Sequence, residues 1–411
     1  MPFFVLFFIL STLLNASDLV PRPRKTLPGE GRLLVNFQTA VIAPAPLADH
    51  AKVIAKALQK STGYLHRVFT PEQLGMMTLN RPIRLKIIEG PGQPGAYRLE
   101  LTPEGVFLTA GEPLGLMHGA QTFANLLPVA KKPQQRIFLP ALTIEDHPET
   151  TRRIFHLDVG AHLFPTDDLK SLIDWLSFHR LNEFHLQLNN NHGWRMESTA
   201  FPKLHQVGSV RPSTPPYRDR TGSDSTEYRG YYTRDNLRDL ANHARSRGIT
   251  IIPSFSLTAG AAPLIAAYPE LGKEPAKVLA TWEPRKVAVS PGKATLDFLD
   301  KLFAETADLF PASEIRLEGP ETAFHAEIAK LLEKHHRTLF LPTSLATTDF
   351  SLYPRPAEDE LLQDPAREAE GGFNPASRVY QLQPGASGAQ ATLRTEFVHD
   401  FEKLEYLVFP R

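Results

Sequence analysis

The feature that most constrains the fold is a regular alternation of short apolar strands and amphipathic helices that begins at Arg153. Strands that alternate with helices are typical of a parallel sheet, either open or closed into a (β/α) barrel. The predicted strands of this region are residues 153–159, 181–188, 249–255, 314–318 and 337–341. The predicted helices are residues 165–180, 233–247, 295–310 and 323–335. Residues 150–411 are therefore predicted to form an α/β domain of this kind.

The fourth predicted strand leads directly to a candidate catalytic carboxylate. Ile315 and Leu317 alternate with charged residues, which is the period-two pattern of a strand, and Gly319-Pro320 then breaks it. Glu321 follows the break, just beyond the carboxyl end of the strand, where barrel enzymes hold their catalytic groups. The alternative is that Glu321 only stabilises the N-terminus of the next helix through its charge.

Length and charge restrict the classes of function. A chain of 411 residues exceeds the usual size of one domain, so two domains are expected. Lys and Arg number 45, and Asp and Glu number 45, so no net charge attracts nucleic acid or an anionic membrane. The chain has no cysteine, which excludes disulfides and lipid attachment to a thiol. We therefore expect no nucleic-acid partner.

The first residues of the chain are almost wholly apolar. Residues 1–14 form a run that is short for a bilayer span, and Asn15-Ala16-Ser17 follows it. We interpret residues 1–16 as a secretory signal peptide, although no Lys or Arg precedes the run, which leaves an uncleaved anchor as the alternative. No later apolar run approaches membrane length, so the mature chain is predicted to have no membrane span. An exported, cysteine-free protein fits a bacterial envelope, in the periplasm or outside the cell.

Residues 33–140 are predicted to form a small α+β domain. Periodicity and turn residues indicate a strand at 33–42, a helix at 51–60, a hairpin at 97–110 and a helix at 114–127. The Pro- and Arg-rich residues 21–32 are interpreted as a spacer before this domain, and residues 140–148 as a boundary segment after it. No residue in this domain suggests catalysis, so we interpret it as a scaffold.

Seven short motifs resemble those of one enzyme family and follow in that family's order. They include His192-Gly193-Trp194-Arg195 and lie at residues 97–99 with 114–122, 143–148, 192–195, 248–253, 266–271 and 405–411. With them, the chain resembles the family-20 glycoside hydrolases, the β-N-acetylhexosaminidase family. The resemblance implies a small N-terminal α+β domain followed by a (β/α)8 TIM-type barrel. A last strand is predicted at residues 389–393, about 45 residues after the fifth. This is too few for two strand–helix units, since one takes about 30 residues, so the barrel is expected to be incomplete in its C-terminal third.

The resemblance also implies a chemistry and a substrate. Members of the family act on terminal N-acetylhexosamine of glycans, and the substrate's own 2-acetamido oxygen attacks the anomeric carbon. A Glu protonates the leaving oxygen, and the Asp before it steadies the acetamido group. The residue types that this chain keeps assign the acid to Glu321 and sugar contacts to Asp158, Trp194, Arg195 and Glu396. The alternative for Trp194 is a place in the barrel core.

Several positions depart from the family's pattern, and they fall on the chemistry. The family's Gly-Gly-Asp-Glu becomes Glu318-Gly319-Pro320-Glu321, so the Asp that steadies the acetamido group is a proline. The His on the loop of the third strand aligns with Gly260, and the Asp that orients that His aligns with Asn190. A sugar-clasping Arg and two aromatic walls are also replaced, by Ala161, Arg394 and Leu341 respectively.

Three functions remain open. The first is a hexosaminidase of impaired activity with Glu321 as acid, because removing one preorganised donor commonly costs about 100- to 1,000-fold in rate. The second is a lapsed relative that binds a glycan or a partner without cleaving it. The third is a two-carboxylate glycosidase that uses Glu318 and Glu321 with Asp158, unless Glu318 faces away from the site. Neither a His-Glu-x-x-His spacing nor a serine-nucleophile motif occurs, so no metal and no cofactor are expected.

Overall fold

The fold consists of two compact units, which meet in the sequence at the Glu149–Thr150 bond. The computed structural model describes residues 19–90, 92–128, 132–216, 219–283, 285–318, 324–341, 388–396 and 398–408. Each unit has its own cluster of buried apolar residues. The predicted signal peptide, residues 1–16, lies outside the described residues. None of the described helices is both long enough and apolar enough to cross a bilayer.

The first unit is a seven-stranded sheet with helices packed on it, which confirms the predicted α+β class. Its strands are β1 Lys25–Val35, β2 Val41–Ile42, β3 Val68–Phe69, β4 Ile83–Ile87, β5 Tyr97–Thr102, β6 Gly105–Ala110 and β7 Ile137–Asp146. Its helices are α1 Ala48–Thr62, α2 Pro71–Leu74 and α3 Pro113–Leu126. The strand order is β1-β7-β5-β6-β4-β2-β3. Helix α1 buries one face in the apolar core of this unit, whereas α3 is buried at every residue from 115 to 123.

The interpretation of residues 21–32 as a spacer is wrong, because β1 begins at Lys25. This strand lies at the edge of the sheet and pairs antiparallel with β7. An edge strand tolerates Pro28, since one side of its backbone needs no partner. The register shifts between Pro28 and Arg32, where Gly31 adopts a φ of 89°. The proline and the glycines of this stretch therefore conceal an irregular strand in the sequence.

The second unit is built on a six-stranded parallel sheet. Its strands are β8 Arg152–Asp158, β9 Glu183–Gln187, β10 Asn189–Asn190, β11 Gly193–Trp194, β12 Val210–Arg211, β13 Tyr228–Arg229, β14 Thr250–Ser256, β15 Glu314–Glu318, β16 Thr338–Phe340 and β17 Gly388–Arg394. Its helices are α4 Thr166–Phe178, α5 Lys203–Gln206, α6 Arg234–Arg245, α7 Ala262–Ala267, α8 Lys293–Leu309, α9 Phe324–Lys334 and α10 Phe401–Val408. The parallel sheet has the order β16-β15-β14-β9-β8-β17. Strands β10 and β11 form a separate two-stranded antiparallel sheet, and β12 and β13 form another.

Contacts across the sheet show that it curls as a barrel does. Arg316 on β15 donates to Gln390 on β17, although β14, β9 and β8 separate the two strands in the sheet. Arg152 on β8 likewise donates to Glu314 on β15, at 3.1 Å. The TIM-type barrel prediction is therefore confirmed for the six described strands. Its predicted incompleteness falls on residues 342–387, which lie outside the described residues.

The local sequence explains why the helices of this unit pack outside the strands. In α6, Thr233 and Asn236 form a capping box at the N-terminus, which satisfies two backbone groups there. The buried residues of the helix recur at helical spacing, and they are Leu237, Leu240, Ala241 and Ala244. The strands contribute their alternate residues, such as Phe155 and Leu157 of β8, to the same apolar cluster. The other residues of each strand face the barrel interior.

Candidate active site

The candidate site lies at the carboxyl ends of the parallel strands. Asp158 ends β8, Gln187 ends β9, Ser256 ends β14, Glu318 ends β15 and Arg394 ends β17. Because the six strands run in one direction, these ends meet at one rim of the barrel. The structure thus collects polar side chains from distant parts of the sequence at the place where barrel enzymes act.

Asp158 is a buried carboxyl held by amide groups. Its Oδ1 accepts the N–H of Gly160 at 2.8 Å, and its Oδ2 accepts from Gln187 at 3.1 Å and from Asn190 at 3.0 Å. Burial raises the pKa of Asp158 to about 7, and the negative charge of Glu396 adds to the rise, while the hydrogen bonds oppose it. This carboxyl is therefore partly protonated near neutral pH.

Glu396 lies close to Asp158 and to two imidazoles. Its negative charge raises the pKa of Asp158, and the same charge acts on His162 and His192. Burial lowers the pKa of each of these two histidines to about 4, and the charge of Glu396 only partly opposes this. Both imidazoles are therefore neutral near pH 7. The sequence pattern alone indicates no role for either histidine.

The Thr395 side chain, just after β17, hydrogen-bonds to the backbone at the end of β8 and beyond it. The Thr395 hydroxyl donates to the Asp158 carbonyl at 2.8 Å and accepts the N–H of His162 at 2.9 Å. The ring of His162 meets Trp282 edge-on at 5.8 Å between centroids, and the ring of His192 meets the same indole at 4.6 Å. Two neutral imidazoles and an indole therefore stand beside the carboxyl groups of Asp158 and Glu396.

Glu318 faces the barrel interior, so the alternative that it faces away from the site is wrong. Its Oε1 accepts from Nε of Arg316 and lies 3.4 Å from Nε2 of His156. The guanidinium of Arg316 also contacts His185 at 3.0 Å and donates to Gln390. Burial lowers the pKa of His156 well below its usual value, and the positive charge of Arg316 lowers it further.

Trp194 and Arg195 have no exposed surface, and this burial argues against the expected contact with a sugar. The indole of Trp194 stacks on Phe255, with centroids 5.6 Å apart and planes 15° apart, and its N–H donates to the Met196 carbonyl. The core alternative for Trp194 is therefore the one that its burial supports.

Arg195 and Arg211 organise the long loop between β9 and α6. Arg195 donates to the carbonyls of Gly160, Ser209 and Gly230, each at 2.8 Å. Arg211 donates to the carbonyl of Ala161, and its guanidinium carbon lies 4.0 Å from the ring centroid of Tyr228. These two buried arginines give the long loop a fixed conformation. Nothing local in the sequence marks Arg211 for this task.

Three of the positions that depart from the family's pattern, Ala161, Asn190 and Gly260, are closely packed. A Cβ atom on Gly260 would lie 2.6 Å from Ser256 Oγ and 3.1 Å from Asn190 Cα, so this backbone has no room for an imidazole. The Asn190 side chain donates to Asp158, and it accepts the N–H of His192 at 2.8 Å. Ala161 is fully buried against Trp282. Two predicted site positions, Pro320 and Glu321, lie outside the described residues.

The described residues contain no group of three or more His, Cys, Asp or Glu side chains arranged to hold a metal ion. The chemistry available at the rim is that of carboxyl groups, neutral imidazoles and guanidinium groups. Such a set can protonate or deprotonate an oxygen, accept hydrogen bonds from a polar ligand and stabilise a developing positive charge.

Two family models match the chain, one for each unit. Residues 152–337 match the model "Glycosyl hydrolase family 20, catalytic domain", and residues 16–147 match "Glycosyl hydrolase family 20, domain 2". Among solved structures, the β-N-acetylhexosaminidase of Streptomyces coelicolor has a TM-score of 0.78 at 22% identity, covering 96% of this chain and 90% of that one. The β-hexosaminidase of Streptomyces plicatus has a TM-score of 0.76 at 23% identity, covering 97% and 89%. These structural likenesses establish the shared fold.

Curated relatives carry the name β-hexosaminidase. The one from Porphyromonas gingivalis is 25% identical, and the match covers 96% of this chain and 59% of that protein. The one from Akkermansia muciniphila is 32% identical, and the match covers 55% of this chain and 45% of that protein. The chain thus spans three-fifths or less of the length of these relatives. Both family models match in the order of the two units, and between them they cover most of the sequence, so the chain belongs to glycosyl hydrolase family 20.

Proposed function

We propose that this chain is a β-N-acetylhexosaminidase-type glycoside hydrolase that acts on terminal N-acetylhexosamine of glycans, with impaired activity. The observation that carries the proposal is the set of carboxyl groups at the carboxyl rim of a family-20 barrel, where the charge of Glu396 acts on Asp158 and Glu318 faces inward. Curated relatives are named for the same activity. Asp158 and Glu396 would contact hydroxyl groups of the sugar, and Glu321 would be the acid.

The proposed reaction uses the substrate's own acetamido group. Its oxygen bonds to the anomeric carbon as the glycosidic bond breaks, and the leaving oxygen takes the proton of Glu321. Water then opens the oxazolinium ring at the anomeric carbon and returns a proton to Glu321. Pro320 has neither a carboxylate nor an N–H to offer the acetamido group, which is the reason for expecting a slow reaction.

A turnover assay on a chromogenic N-acetylglucosaminide tests this function. We expect slow release of the chromophore by the unchanged protein, and a loss of about 100-fold or more in Glu321→Gln, because an amide is too weak an acid to transfer a proton to the leaving oxygen. Release that continues at the same rate in Glu321→Gln would contradict the assignment of the acid. Equal or faster cleavage of the matching glucoside, which lacks the acetamido group, would favour a two-carboxylate reaction instead.

A second candidate is a protein that binds glycan without cleaving it. The observation that favours it is the packing at Gly260 and Asn190, where the family's imidazole and its orienting carboxylate have both gone. Under this function the chromogenic substrate is not cleaved, and titration calorimetry with chitobiose or a thiazoline mimic still detects binding. Absence of both cleavage and binding would contradict both candidates.

We also propose that the protein is exported to the periplasm or the outside of the cell, with cleavage near Ala16. The apolar run of residues 1–14 supports this proposal. Expression of the full chain in a bacterium, followed by fractionation and N-terminal sequencing, tests it. A protein that stays in the cytosol and begins at Met1 would contradict it.

A further inference from the structure

The chain has gained a carboxylate two residues before the one it has lost. Where the family has Gly-Gly-Asp-Glu, this chain has Glu318-Gly319-Pro320-Glu321. The exchange at Pro320 removes the carboxylate that steadies the acetamido group, and the exchange at Glu318 adds one at the end of the same strand. We propose that Glu318 is a catalytic residue of this chain, which contacts the substrate's acetamido group in place of the missing Asp. This inference rests on the proposed hexosaminidase function.

The contacts of Glu318 leave one of its oxygens available to a ligand. Arg316 and His156 both approach Oε1, whereas Oε2 has no partner among the described residues. The side chain is 21% exposed, although Arg316 and His156 beside it are almost fully buried. A carboxylate that is anchored through one oxygen and open at the other is preorganised to accept a hydrogen bond from a bound molecule.

The position of Glu318 also relates it to the rest of the site. His156 lies two residues before Asp158 on the same face of β8, which is a separation of about 7 Å along a strand. Because Glu318 reaches across the barrel to His156, its carboxylate stands just below the level of Asp158 and Glu396 at the rim. A sugar held by Asp158 and Glu396 through its hydroxyl groups would therefore place another substituent near Glu318.

The chemical role follows from where charge develops. When the acetamido oxygen bonds to the anomeric carbon, positive charge spreads over the O–C–N atoms of the new ring. The carboxylate of Glu318 accepts the hydrogen bond of the ring N–H and offsets this charge, and it neither gains nor loses a proton overall. The proton that the leaving oxygen needs still comes from Glu321. Removing such a preorganised group commonly costs about 100- to 1,000-fold in rate.

Glu314, at the other end of β15, provides a matched control for substitutions of Glu318. Glu314 lies on the same inward face of β15, and its side chain is 23% exposed. It is also paired with a guanidinium, that of Arg152. It stands at the amino end of the barrel, away from the proposed site. Glu314→Gln therefore perturbs a buried ion pair of the same kind without touching the substrate.

The first test compares Glu318→Gln with Glu314→Gln on a chromogenic N-acetylglucosaminide. We expect Glu318→Gln to lower kcat at least 100-fold with little change in KM, and Glu314→Gln to keep kcat within about threefold of the unchanged protein. Circular dichroism confirms that each variant is folded. Equal losses in the two variants, or an unchanged kcat in Glu318→Gln, would overturn the inference while leaving the proposed function intact. An unchanged protein that does not cleave the substrate would overturn the proposed function first.

A second test moves the carboxylate back to the family's position. Glu318→Gly restores the family's glycine and should lower kcat as much as Glu318→Gln does. The double variant Glu318→Gly with Pro320→Asp should have a kcat at least about tenfold higher than that of Glu318→Gly, because it again offers a carboxylate to the acetamido group. A Glu318→Gly variant that is as active as the unchanged protein would show that the carboxylate at 318 has no part in the reaction. If Glu318→Gln fails to fold, the comparison of Glu318→Gly with the double variant still tests the role of Glu318.

Discussion

At the amino end of the barrel interior, Arg152 donates to both Glu183 and Glu314. At the carboxyl end, the buried Asp158 accepts hydrogen bonds from amide groups, and the negative charge of Glu396 acts on it. The first arrangement balances buried negative charge with a guanidinium. The second leaves a carboxyl whose pKa rises to about 7, because it is buried and lies near a like charge. The charges at the amino end therefore stabilise the fold, whereas the carboxyl end retains Asp158, a buried carboxyl that is costly to ionise and that a ligand can use.

The interior of this barrel is polar at both its amino and its carboxyl end. Barrels of this class are usually filled by branched apolar side chains. In this chain the apolar cluster lies between strands and helices, and charged residues such as Arg316 cross the interior. Buried charges stabilise a fold only when their partners are present, so each end should respond in its own way to the loss of one group.

The largest expected effect on stability comes from breaking the balanced end. Arg152→Met leaves Glu183 and Glu314 partly buried without their guanidinium, which should lower the free energy of unfolding by about 3 kcal/mol. Urea denaturation measures this loss. Lys293→Met, which breaks an exposed pair with Asp297, is the control and should change stability little. A small effect of Arg152→Met would mean that the amino end is not held by this cluster.

The next effect concerns the packing of the carboxyl end. Gly260→Ala places a Cβ within 2.6 Å of Ser256 Oγ, so we expect a loss of about 1 to 3 kcal/mol in the free energy of unfolding. Gly90→Ala is a matched control, because a Cβ at Gly90 has no heavy atom within 4 Å. Thermal or urea unfolding compares the two. Equal stability of both variants would show that the backbone at Gly260 has room for a Cβ atom.

The third prediction uses the raised pKa of Asp158. The folded protein holds the proton of Asp158 up to about pH 7, whereas the unfolded chain releases it near its ordinary pKa of 3.8. Stability contributed by this group is therefore present at low pH and falls as pH rises between about 4 and 7. Asp158→Asn should remove this part of the slope in urea denaturation at a series of pH values. A slope unchanged by Asp158→Asn would contradict the burial argument.

Much of the fold could be predicted because its strands and helices have clear periodicity. Strand β15 was predicted at Glu314–Glu318 and is observed there, and the parallel sheet follows from the alternation of strands and helices. The early start of β1 could not be predicted, since Pro28 and the nearby glycines are unusual in a strand and only an edge position allows them.

The candidate site was harder to predict than the fold. The apolar side of β15 packs against the helices, so its charged side faces the barrel interior. The usual expectation that charged side chains point to solvent therefore misplaces Glu318. Trp194 looked like a sugar platform because motifs carry no information on burial. The cluster around Glu396 joins residues that are more than 200 positions apart, such as His162 and Thr395, and the parallel pairing of β17 with β8 brings them together.

The most direct test of the account is the rate of cleavage of nitrophenyl glycosides whose acetamido group carries successively more fluorine atoms. Fluorine withdraws electrons from the acetamido oxygen and weakens it as a nucleophile, while the leaving group and the sugar stay the same. If the carboxyl end of the barrel stabilises charge on the acetamido group, kcat falls with each added fluorine in the unchanged protein. A kcat that does not depend on fluorine would contradict the account, because the acetamido oxygen would then take no part in the reaction.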